Sequence, residues 1–212
     1  MTYWKLEKIF ENFVPDTVIL GFSPHNISQF NDLKFSDKTW SNEMFKRSYA
    51  IADIHELDID VDHLGYNKTL WKQTAFFPKK NHHNMIGSFK RSKENKINDW
   101  RKVVRRHYSL EGKELGVSET QIDYLNRMVD LCETNNVVLI LTSHPLHQSY
   151  LNEIPSRIYK RYQDLMNEFE KEHVVINKSK ETYPDELFLN VDHLNEYGAD
   201  RFTKEVVAFL KN

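Results

Sequence analysis

Three short apolar runs do most to limit what this chain can fold into. They are Thr17-Val18-Ile19-Leu20-Gly21-Phe22, Val137 to Leu141, and Val174-Val175-Ile176. Each is rich in β-branched residues and lacks the polar alternation of a half-exposed strand, so each reads as a strand covered on both faces. Helical spacing surrounds them. Trp4, Leu6, Ile9, Phe10 and Phe13 predict a helix over 3–13, broken by Pro15 and Asp16. Ser118-Glu119-Thr120-Gln121 forms a capping box, and the helix after it turns Ile122, Leu125, Met128, Val129 and Cys132 inward until Asn135-Asn136. Pro155 opens a helix with Ile158, Tyr162, Leu165, Met166 and Phe169 on its buried face. Asn195 caps a last helix whose inner face is Ala199, Phe202, Val206 and Phe209. Strands alternating with helices predict an α/β fold with a parallel sheet. In such sheets ligands gather beyond the carboxyl ends of the strands. Here those ends feed the loops 22–28, 142–148 and 177–195.

The middle of the chain is different in kind. Ser23-Pro24-His25-Asn26 reads as a loop leaving the first strand, and 39–52 as a helix with Trp40, Met44, Phe45 and Tyr49 on one face. The stretch 78–107 is basic and reads as helical over 95–107, so 28–115 is expected to be an insertion or lid within one domain. The 212 residues suit one such domain.

Charge and cysteine usage exclude several classes. Basic and acidic residues number 29 and 31, for a formal net charge of -2, which argues against general nucleic-acid binding. The basic segment 79–106, with Phe89, Trp100 and Tyr108 interleaved, reads as a solvated helical face balancing acidic segments elsewhere; in an ester hydrolase it would instead border the substrate cleft. One cysteine, Cys132, permits neither an internal disulfide nor a cysteine-built zinc site. No calcium-loop spacing occurs in the acidic run Asp53 to His63, and the adjacent His82-His83 cannot readily face one ion; His144 and His147 stand three apart. No metal and no cofactor is expected. No apolar run approaches a membrane span, and Lys5, Glu7, Lys8 and Glu11 interrupt any signal-peptide core. The chain as written is expected to be soluble and unexported, or exported if a segment precedes it.

The segment Phe188 to Ala199, F-L-N-V-D-H-L-N-E-Y-G-A, is the strongest candidate site. His193 stands in a loop before a capped helix, where an imidazole can exchange protons near neutral pH. The pattern F-x-[D]-x-x-H-L-N-x-x-G-A before an amphipathic helix resembles the last block of the SGNH (GDSL-type) hydrolase superfamily. Val137 to Pro145 and Asp16 to Asn26 are similar to strands and following loops of that family. The resemblance implies a flavodoxin-like three-layer sandwich. It also implies serine ester hydrolysis, or O-acyl transfer, on a small-molecule or carbohydrate acyl ester. It places the general base on His193 and the orienting acid on Asn190, a departure, since an amide orients an imidazole but supplies no charge. Asp192 is the neighbouring carboxylate and the alternative orienter, able to substitute electrostatically, though its side chain is expected to point elsewhere. Asn26 is the candidate oxyanion donor, with Gly21 and Ser23 beside it. No G-D-S motif occurs, so the nucleophile block is expected to be missing, through truncation or divergence; Ser23 and Ser143 are the remaining hydroxyls. A three-stranded sheet leaves an edge that a second copy would complete. The reading from a different class is a non-catalytic α/β module that binds a ligand or partner. The charge balance predicts elution from heparin at low salt; strongly salt-dependent retention would instead make 79–106 a polyanion surface.

Overall fold

The computed structural model describes residues 2–32 and 96–211. The expected helix 39–52, the basic residues 79–95, the run Asp53 to His63 and most of the expected insertion 28–115 lie outside the described residues.

The chain is α/β, with a parallel sheet and helices on both its faces. Strand β1 (Thr17–Gly21) pairs with β4 (Val138–Ser143), which pairs with β5 (Val174–Asn177), all parallel. The register sets Leu20 against Leu141 and Ile140 against Val174. Successive side chains of a strand face opposite sides, and β4 uses both. Leu139 and Leu141 face three helices: α1 (Thr2–Phe10), α3 (Glu119–Thr134) and α5 (Ser156–Phe169). Ile140 turns the other way and packs, with Ile176, on Val206 and Phe202 of α6 (Glu196–Leu210). This is why β4 reads as an unbroken apolar run. Strand β1 lies at one edge of the described sheet, and its Ile19, on the α6 side, is 55% exposed.

Between β1 and α3 lie a 3-10 turn at Pro24–Ile27, helix α2 (Trp100–Tyr108) and a two-residue hairpin of β2 (Ser109–Leu110) with β3 (Lys113–Glu114). Val103 and Tyr108 of α2 belong to the main core with Leu141 and Tyr162. The part of 28–115 described from 96 onward is thus packed into the body of the domain.

The caps form as their chemistry requires. Ser118 Oγ accepts from the Gln121 amide at 3.0 Å, and Asn195 Oδ1 accepts from the Tyr197 and Gly198 amides at 3.0 and 3.1 Å. The buried face of α3 is the expected one, and so is that of α5 except that Phe169 at its end is half-buried. Two other faces differ. Helix α1 stops at Phe10, short of the expected 13, so Phe13 falls beyond the helix and is exposed, as is Ile9. On α6, Ala199 and Phe209 are exposed while Gly198 is buried, because the helix start is pressed against the backbone of Leu187. A Cβ on Gly198 would collide with the Leu187 carbonyl. Backbone cannot yield as a flexible side chain can, so Gly198→Ala is expected to cost about 1–3 kcal/mol. A urea midpoint unchanged from wild type would show that α6 can shift freely.

Candidate functional site

The last loop before α6 is a tight hairpin. Strand β6 (Phe188–Asn190) runs antiparallel to β7 (His193–Leu194), and Asn190 is paired across it with His193. Only Val191 and Asp192 separate the pair, and both are fully buried. This hairpin is the physical meaning of the three-residue spacing. The pairing brings Asn190 Oδ1 to 3.1 Å from His193 Nδ1, and the same oxygen accepts from the Asp192 amide at 3.3 Å. The hairpin is held from outside. The His147 amide donates to the Val191 carbonyl at 3.0 Å, and the Lys96 amide donates to the Leu189 carbonyl at 2.7 Å.

Asp192 does not point elsewhere. Its side chain turns inward, with none of its surface exposed, and its Oδ1 lies 3.1 Å from His193 Nδ1. An imidazole N–H can aim along one line only. It is directed to Asn190, and Asp192 Oδ1 receives no well-aligned hydrogen bond, so that contact is electrostatic. Asp192 Oδ2 accepts from Arg106 Nη2 at 3.3 Å and lies 3.6 Å from His107 Nε2. His107 is buried, and its Nδ1 lies 2.7 Å from the Tyr150 hydroxyl, which donates to the Tyr108 hydroxyl at 2.9 Å. With Tyr150 donating to Tyr108, His107 Nδ1 carries the proton, and its Nε2 accepts from Arg106 Nη2 at 3.1 Å. One carboxylate thereby joins the last loop to α2.

The ends of β1 and β4 complete the cluster. Ser23 is buried just past β1. Its Oγ lies 3.1 Å from His25 Nδ1 and donates to Asn26 Oδ1 at 3.0 Å. His25 stacks on His107, with ring centroids 4.5 Å apart. His144, after β4, has its Nε2 2.9 Å from the Asp192 carbonyl oxygen.

Electrostatics follow from this burial. Burial alone would raise the Asp192 carboxyl, but contact with His193 and the fields of His193, His107 and His25 outweigh it and hold Asp192 below the ordinary carboxylate range. Burial pushes His25 well below its ordinary 6.5, and the neighbouring His107 adds to the shift. Burial also lowers His144, against the smaller opposing effect of its bond to the Asp192 carbonyl. Burial raises the Tyr150 and Tyr108 hydroxyls, so both stay protonated as links in the chain.

Of the expected site residues, Asn190, Asp192 and His193 come together, and Ser23 joins them through His25. Asn26 serves the turn first: its Oδ1 accepts from the Ser23 amide at 2.7 Å, which leaves Nδ2 as its donor group. Gly21 is paired with Thr142 in the sheet, and open space surrounds the place of its missing Cβ. Ser143 is fully buried at the end of β4. His144 and His147 turn to separate partners, the Asp192 carbonyl and Asp185. Sequence reasoning missed Arg106, His107 and Tyr150. The available signal was His107 four residues after Val103, a histidine in phase with the buried side of α2.

Residues 90–212 match the model of an uncharacterised protein family. The chain belongs to that family. The matched stretch contains Arg106, His107, His144, Asn190, Asp192 and His193, and stops short of β1 with Ser23 and His25. No curated protein and no solved structure matches the chain.

The two depressed histidines give a pH signature. As pH falls past 6.5, the unfolded chain takes up protons that His25 and His144 refuse in the folded state. Stability is therefore full above 6.5 and is lost as pH falls from there towards each folded-state value. Urea midpoints are expected to drop between about pH 7.5 and about pH 5.5, and His144→Gln should flatten that drop. An equal drop in wild type and variant would show that His144 titrates normally.

Proposed function

We propose that this chain is an SGNH-like serine ester hydrolase or O-acyl transferase, a flavodoxin-like three-layer sandwich with its site at the carboxyl ends of β1 and β4. The observation that carries the reading is the anchoring of His193. Its Nδ1 lies 3.1 Å from both Asn190 Oδ1 and Asp192 Oδ1. An imidazole that donates from Nδ1 keeps its lone pair on Nε2, the state a general base requires. Asn190 sets the ring's orientation. Asp192 supplies the negative charge that an amide lacks and stabilises the imidazolium once it forms.

The reading assigns the nucleophile to Ser23, in place of a missing block. Phe22-Ser23 directly follows a parallel strand that ends at Gly21 and leads into a helical turn, the layout in which a G-D-S serine is presented. The Ser23 backbone, at φ -142° and ψ 161°, is ordinary extended chain and not the strained elbow of other serine hydrolases. His25, in contact with Ser23, lies within the electrostatic range of His193 and Asp192, so hydroxyl and base share one end of the sheet. In the reaction Ser23 Oγ attacks the ester carbonyl and its proton passes to His193 Nε2. That proton then leaves with the alcohol, and water or an acceptor alcohol releases the acyl group by the reverse sequence. Asn26 Nδ2 is the donor for the oxyanion.

Turnover of p-nitrophenyl acetate, with fluorophosphonate labelling of the serine, tests this. His193→Ala and Ser23→Ala are each expected to lower kcat/KM by about a hundredfold or more, and Ser23→Ala to abolish labelling. A folded protein with no His193-dependent turnover and no label would favour the binding-module reading.

A further inference from the structure

We infer that the site takes acyl esters bearing an anionic group, and that Arg106 holds that group. The inference rests on the esterase reading for the identity of the ester, but its charge argument comes from a different set of residues. The Asp192 carboxylate is completely covered, whereas the two groups held on its oxygens are open to solvent: Arg106 is 49% exposed on Oδ2 and His193 is 55% exposed on Oδ1. The ion pair is thus oriented, with its negative end inside and its positive end facing outward beside the base. Solvent weakens a field near the surface, but a buried anion behind an exposed cation cannot reach a ligand to repel it at contact distance.

The guanidinium is only partly committed. Its Nε and Nη2 donate to His107 Nε2 at 3.3 and 3.1 Å, and Nη2 also reaches Asp192. Nη1 makes no hydrogen bond among the described residues, so its two N–H groups remain to be used. The used edge fixes the plane of the guanidinium, so the free edge is already oriented, and a carboxylate or phosphate oxygen docking there loses little rotamer entropy from the protein. Arg101, Lys102 and Arg105 form the rest of the exposed face of α2, which extends the positive rim without adding a carboxylate. Arg106 and His193 are separated by one carboxylate and two contacts, so an anionic group on Arg106 lies within a few bonds of a carbonyl attacked beside His193.

The test compares p-nitrophenyl acetate with mono-p-nitrophenyl succinate, which places a carboxylate beyond the same reacting ester. The full chain is expected to prefer the succinate ester by about tenfold in kcat/KM, and Arg106→Gln to bring that ratio near one, with Arg106→Lys retaining part of it. If Arg106 serves only to position Asp192, Arg106→Gln slows both esters alike and leaves the ratio unchanged, which overturns the inference. Titration with monomethyl succinate, followed through the histidine ring protons by NMR, separates this from the esterase reading. Saturable shifts in wild type that are lost in Arg106→Gln support the anion site even where neither ester turns over. Absence of both the shifts and the preference overturns it.

Discussion

The site depends on one ionised carboxylate placed where water cannot reach it. Burying a carboxylate costs several kcal/mol even after relaxation, and only close partners offset that cost. Asp192 has them from two parts of the fold. Arg106 comes from α2 and His193 from its own hairpin, and Arg106 is itself steadied by His107. Removing any one leaves the same charge buried with fewer partners. Even the Asp192 main chain is tied down, through the Asn190 side chain and the His144 ring. The charge therefore ties α2 to the last hairpin, and the placement of His193 follows from keeping that charge solvated by protein.

The same constraint explains the order of the cluster in space. A parallel sheet brings the ends of β1 and β4 together, but it does not by itself orient any side chain. Orientation comes from the chain Tyr108, Tyr150, His107 and Arg106, whose hydrogen bonds run in one direction while Tyr150 keeps the proton it donates to Tyr108. Burial raises both hydroxyls and so secures that state. The tyrosine rings are also core residues, with Tyr150 wholly covered, so the polar chain is anchored in the most rigid part of the domain.

Much of the frame was legible because it is local. The three apolar runs are the three strands, and Ser118 and Asn195 cap the helices that follow them, since these signals depend on neighbours a few residues away. The pairing of Asn190 with His193 is also local, a hairpin with two residues between the partners. What the sequence hid is the inward turn of Asp192. Its partners stand more than eighty residues earlier in the chain, and a carboxylate next to a histidine in a polar loop gives no sign of being buried. Arg106 was hidden for a related reason. Ten basic residues between Lys79 and Arg106 look alike in sequence, and only contact with Asp192 distinguishes the last of them.

Asn190 then takes on a different meaning. Read alone, an amide in the place of an acid looks like the loss of catalytic power. In the structure both Asn190 Oδ1 and Asp192 Oδ1 stand 3.1 Å from the same nitrogen of His193. A second carboxylate at 190 would put two negative charges on one imidazole, and like charges that close cannot both remain ionised at ordinary cost. One of them would take up a proton. Asn190 avoids this conflict by giving the hydrogen bond without the charge, while Asp192 gives the charge without the hydrogen bond. On the proposed reading, the two functions that one aspartate performs in a serine triad are divided between Asn190 and Asp192. The division depends on α2, whose Arg106 reaches the buried Asp192 carboxylate and is held there by His107.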